Sequence, residues 1–141
     1  MAFRFPLESV LRLRRSQQRQ QELLLQRRSR EVIRLRLEWA STQAEMAGIS
    51  GRSPDGRTAA ELQFDRERLA TLAIRSEGIG KELQHAMAAR EQAAADFRQA
   101  WQRRETLETL QNRGREAYAA DDSRRAQRTL DDWFLARRGR P

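Results

Sequence analysis

GISGRSPDGR, residues Gly48–Arg57, is the one stretch of this chain where Gly, Pro, Ser and Asp cluster densely enough to stop a helix. Three glycines and Pro54 fall within it; glycine admits positive φ and proline removes a backbone donor. Thr58 then opens TAAE, in which the Thr58 hydroxyl can accept from the Glu61 amide while the Glu61 carboxylate reaches back. That capping box marks a helix start. Before the stretch lie 47 residues with one proline, Pro6, and no glycine; after it only Gly78, Gly80 and Gly114 intervene before Gly139. Two long helices joined by one bend follow from this punctuation.

Working outward, the first segment carries a 4,3-spaced series: Leu7, Leu11, Arg14, Gln18, Gln21, Leu25, Arg28, Val32, Leu35, Trp39, Thr42, Met46, Ile49. Eight of its thirteen positions are apolar, which is the pattern of a coiled-coil seam with polar breaks. The breaks concentrate in RLRRSQQRQQE, residues 12–22, so that part is expected to pair loosely or to await a partner. Pro6 suits the start of this helix and Gly48 its end. After Thr58 the spacing resumes through Leu62, Asp65, Leu69, Leu72, Ser76, Ile79, Leu83, Ala86, Arg90, Ala93, Phe97, Ala100, Arg104 and Leu107, then passes to Leu110, Ala117 and Tyr118. The expected fold is all-α, a long antiparallel two-helix coiled-coil hairpin in one domain, residues 1–141: helix 6–48, loop 49–57, long helix 58–138. A break at Gly78/Gly80 is the alternative, since each glycine costs about 1 kcal/mol in a helix interior.

Antiparallel pairing from the bend puts Leu7 opposite residue 99, and the C-terminal helix then overhangs by about 50 Å or more. Leu130, Trp133 and Phe134 form an apolar patch on that overhang with no partner in the chain, and exposed aromatic clusters mark interfaces. The alternative is that Trp133 and Phe134 fold back onto Phe3 and Phe5.

Composition narrows the function classes. The hydrophobic fraction is 38% and the charged fraction 34%, enough to line a narrow helix–helix seam and too little for a thick core. There is no cysteine, hence no disulfide framework. No apolar run approaches the ~18 residues of a membrane span. MAFRFPLESVLRLRR lacks the apolar core and cleavage site of a secretory signal, so a cytoplasmic location is expected. Of 28 basic residues all but Lys81 are arginine, and the net charge is +8. A basic rod of this kind is compatible with an anionic partner or with a solvated face laced by i,i+4 pairs: Glu8/Arg12, Arg34/Glu38, Glu77/Lys81 and Asp121/Arg125.

Catalytic and cofactor patterns are not found. His85 is the lone histidine. Asp121–Asp122 and Asp131–Asp132 are adjacent carboxylates that diverge on a helix, and Gly78–Gly80 is followed by no GK[ST]. The expectation is a non-enzymatic protein with no cofactor and no metal. Two classes stay open on the residues alone, a coiled-coil component of a protein assembly and a basic coiled coil that binds nucleic acid or forms a homodimeric scaffold.

FRFPLESVLRLRRSQQ near the N-terminus resembles the opening of the flagellar export protein FliJ family. FRQAWQRRETLETLQNRGREAY, followed by RRAQRTLDDWFLARR, is similar to the same family's distal half, through its Arg–Glu–x–Leu–Glu–x–Leu run, its Tyr and its acidic closing pattern. Two departures stand out: Trp133–Phe134 is more aromatic than the common polar ending, and Gly78 and Gly80 interrupt the second helix. The resemblance implies an antiparallel helical hairpin, like the central stalk subunit of rotary ATP synthases, in the flagellar type III export apparatus. One end would insert into the export ATPase ring and the other contact the cytoplasmic domain of the export gate. Escort of export chaperones and peripheral association with the inner membrane at the flagellar base are also implied, with no specific nucleic acid partner. By position, Leu35, Trp39, Leu69 and Leu72 near the bend would lie at the gate end, where ordinary seam packing is the competing reading. Leu130, Trp133 and Phe134 would lie at the ATPase end.

Overall fold

The capping box closes as its spacing predicts. The Thr58 N–H donates to Glu61 Oε2 at 3.3 Å, and the Glu61 N–H donates to Thr58 Oγ1 at 3.2 Å, so two donors at the helix start find side-chain acceptors. The computed structural model describes residues 2–139. Helix α1 spans Glu8–Ser50 and helix α2 spans Ala59–Arg138, with no strand among the described residues. The two helices pack against each other as an all-α helical hairpin.

One local expectation is corrected and one alternative is set aside. Gly48 does not end α1, which continues to Ser50; the Gly51 N–H donates to Ala47 O at 2.9 Å and the Arg52 N–H to Ile49 O at 3.2 Å. The left-handed residue of the loop is Gly56, at φ 71°. Nor do Gly78 and Gly80 break the second helix, which runs through both without positive φ. Ile79 between them is buried in the seam, and that packing holds the turn that two glycines weaken.

Contacts divide the chain into two units, Gln20–Arg98 and Met1–Arg19 with Gln99–Pro141. In the unit Gln20–Arg98, Val32, Leu35, Thr42 and Ile49 are buried on α1, and Asp65, Leu72, Ser76, Ile79 and Ala93 on α2. All belong to the two heptad series. Gln43 Nε2 donates to Ser76 Oγ at 2.6 Å, while Arg68 pairs with Glu45 and Arg75 with Glu38 across the edges. Asp65 is the polar residue that fixes the bend. Its carboxylate accepts from Arg52 Nη1 at 3.1 Å and from Arg57 Nη1, strapping the loop along the first turns of α2.

In the other unit, Leu11 is fully buried on α1, and Ala100 and Gln111 are buried on α2. Gln111 Nε2 donates to Glu8 Oε2 at 3.1 Å, Arg15 Nε donates to Glu108 Oε1 at 3.2 Å, and the rings of Phe3 and Tyr118 meet at 5.9 Å. These pairs set a register different from the one counted from the bend: that count put Leu7 opposite residue 99, whereas its neighbour Glu8 faces Gln111. The unpaired overhang is correspondingly shorter, residues 119–138, about 30 Å at 1.5 Å per residue.

Polar seam positions leave a residue of unmet hydrogen bonding. Gln18 Oε1 in one unit and Gln21 Oε1 in the other are buried without a donor, as the glutamine-rich break in the series implies.

Candidate partner-binding surfaces

From residue 119 onward every described residue of α2 is exposed, lying past the level at which α1 begins, with no other described residue covering it. A helix in that position has an apolar stripe without a core. Trp133 and Phe134 are 53% and 57% exposed, with ring centroids 5.3 Å apart in an edge-to-face arrangement. Arg137 lies over the Trp133 ring at 5.2 Å, a cation–π contact that orients the indole. Leu130 and Leu135 are exposed beside them. The rings do not fold back onto the N-terminus: Phe3 is taken up instead by Gly114 and Tyr118.

The four residues named near the bend separate into two kinds. Leu35 and Leu72 are 2% and 1% exposed, inside the seam, and Leu69 is half-buried. Trp39 is 41% exposed and has surface to offer. Packing between helices therefore accounts for Leu35 and Leu72, and of the four Trp39 presents the largest free face.

Two features were not singled out in the sequence. The first is the N-terminal groove of about 620 Å³ lined by Phe3, Arg4, Phe5, Glu8, Gln111 and Arg115. Its signal was present: the 4,3 series continues from Leu107 to Gln111, Gly114 and Tyr118. Leu110 and Ala117 are apolar neighbours of that series and both are exposed, so spacing, not hydropathy, marks the contact face. The second is an ionic cluster in which Glu108 accepts from Arg15 and from Arg104 Nη1. Burial pushes the Glu108 carboxyl up, but the hydrogen bonds from Arg104 and Arg15 outweigh it and hold the group below its ordinary value. Asp65 is likewise held low, chiefly by its hydrogen bond to Arg57 against an opposing desolvation, and Glu31 by its hydrogen bond to Arg34.

No group of three or more metal-binding side chains occurs among the described residues, and His85 is exposed. No helix among them is long and apolar enough to cross a membrane. Of the i,i+4 pairs expected from sequence, Arg34–Glu38 and Glu77–Lys81 form; Glu8 turns to Gln111 and Asp121 to Arg124.

The family model for the flagellar FliJ protein matches residues 3–140. This chain belongs to the FliJ family. The match spans both helices and the loop, so the N-terminal groove and the exposed end of α2 are parts of the FliJ-family region. Membership implies a component of the flagellar export apparatus, and the family is a non-catalytic one. No curated protein and no solved structure matches this FliJ-family chain.

Proposed function

We propose that the protein is the stalk that links the export ATPase ring to the export gate, with the exposed end of α2 engaging the ATPase. The observation that carries this reading is the uncovered helix beyond Tyr118, with Trp133 and Phe134 packed edge to face and half-exposed. Aromatic residues presented in this way act as anchors, each filling a pocket on the partner. At the bend end, Trp39 is the contact offered to the gate's cytoplasmic domain, with half-buried Leu69 contributing beside Arg68, while Leu35 and Leu72 are buried in the seam. The protein works on the cytoplasmic side of the inner membrane, held there through the export apparatus, and passes export chaperones toward the gate. It carries out no chemistry of its own.

The test is capture by the export ATPase. Replacing Trp133 and Phe134 by Ala should leave helical content nearly unchanged and weaken ATPase binding by about 2 kcal/mol, roughly thirty-fold. Normal binding by the double variant would move the contact elsewhere, first to the arginines of α1. A salt titration separates the two, because a contact built on apolar burial survives about 0.3 M salt and one built on exposed arginines does not.

A further inference from the structure

The N-terminal groove and the exposed tail have matching chemistry. Two guanidiniums, Arg4 and Arg115, flank the aromatic floor of Phe3 and Phe5. Neither makes an ion pair or hydrogen bond among the described residues. The tail carries the complementary sequence, LDDWFL at residues 130–135, two carboxylates followed by two rings. Asp132 has no partner among the described residues, and Asp131 accepts only from Gln127, one turn back on the same helix. The tail cannot reach its own groove. Arg115 and Trp133 lie on one continuous helix, 18 residues and therefore about 27 Å apart. Whatever tail fills the groove comes from another molecule.

We propose that the protein forms a two-fold dimer in which the tail of each copy docks in the N-terminal groove of the other. Asp131 and Asp132 meet Arg4 and Arg115, and Trp133 and Phe134 lie against Phe5 and Phe3. One geometric check supports a second copy as the occupant. An antiparallel pair of tails with its axis near residue 125 brings position 133 of one copy level with position 117 of the other, next to Arg115 and Tyr118. The same axis places Arg128 level with Asp122 of the second copy, and does so twice, as an isologous contact requires. Arg125 meets its own copy at the axis, where both side chains are exposed and free to diverge. Pairing also covers a helix of about 20 residues that is marginal alone in water, so the dimer stabilises the segment that the monomer leaves bare. Since the dimer occupies Trp133 and Phe134, a bound copy and a bound ATPase exclude each other. Self-pairing is thus a holding state for the free protein. The dimer rests on the groove and the tail, not on the ATPase reading.

The experiment is a mass measurement on the full chain, without ATPase, by sedimentation or light scattering. The expected result is a shift from 16.5 kDa toward twice that mass across about 1 to 100 μM protein. Asp131→Arg with Asp132→Arg should remain at monomer mass, and so should Arg4→Glu with Arg115→Glu. All four positions are exposed, and unchanged helical content by circular dichroism checks that each variant folds. Mixing the two variants should restore the dimer, because in the mixed pair both tail–groove contacts are again of opposite charge. A wild-type chain that stays monomeric throughout overturns the proposal. So does a dimer that survives both charge reversals, or variants that fail to complement on mixing. ATPase capture by the monomeric variants reads the other proposal separately, so the two can fail independently.

Discussion

Gly114 shows how one residue decides a contact. A Cβ added there would lie 3.0 Å from Phe3 Cζ and 3.3 Å from Cε2, so the ring would have to give by a few tenths of an ångström to admit a methyl group. Gly114 sits inside a helix without positive φ, and alanine would otherwise gain about 1 kcal/mol of helix propensity. The two effects oppose. Gly114→Ala in the wild-type chain should therefore raise the melting temperature little or lower it. In a Phe3→Ala background, where the ring is absent, the same change should recover the full gain. A double-mutant cycle by thermal melting reads the difference as the coupling between ring and glycine. Equal effects in both backgrounds would mean that Phe3 does not depend on Gly114. The contact was within reach of the sequence, since Gly114 and Tyr118 continue the seam spacing, but a glycine carries no hydropathy to draw notice.

At the scale of the element, α2 is continuous through a point where its own sequence argues against continuity. Gly78 and Gly80 have no heavy atom within 4 Å of a built Cβ, and neither has positive φ. Both glycines are thus a cost without a steric purpose in the hairpin. Gly78→Ala and Gly80→Ala should each stabilise the protein by about 1 kcal/mol, additively to within a few tenths at best for sites this close, as read from chemical denaturation. A loss of stability would show that the helix bends there in solution. Propensity alone could not settle the break, because Ile79 sits between the glycines and its burial depends on α1, a segment far away in sequence.

For the whole molecule, carboxylates held by arginine, between the helices at Glu108, between loop and helix at Asp65 and within α1 at Glu31, shape the response to acid. Asp65, Glu108 and Glu31 all have pKa values lowered below their ordinary values of 3.8, 4.5 and 4.5, each through hydrogen bonds to arginine. A group held low when folded contributes stability that is complete above its unfolded value and is lost as pH falls through the folded one. Helicity should stay level from neutral pH to about 5 and fall below about 4. Protonation also leaves 28 basic side chains without counter-charge, which adds repulsion in the same window. Asp65→Asn and Glu108→Gln should lower stability at pH 7 and flatten its dependence on pH, measured by denaturation at a series of pH values. A profile as steep as that of the wild type would remove these two carboxylates from the account.

Local signals determined much of this protein. The cluster Gly48–Arg57, the box Thr58–Glu61 and the 4,3 spacing dictate two helices and a bend, because capping, breaking and periodicity act over a few residues. The same spacing marked Asp65, Ser76 and Arg104 as seam positions despite their polarity, and the ends of the chain carried the family. Register was another matter. It is read from particular cross-helix pairs, Glu8 with Gln111 and Arg15 with Glu108, which no periodicity encodes. With that register go the seat of Phe3 on Gly114 and the length of helix left bare. The groove forms where Phe3, Arg4 and Phe5, ahead of α1, lie against Gln111 and Arg115 of α2. Burial likewise divided Leu35 and Leu72 from Trp39, residues alike in the sequence pattern, because which face of a helix meets its neighbour is decided when the two helices pack.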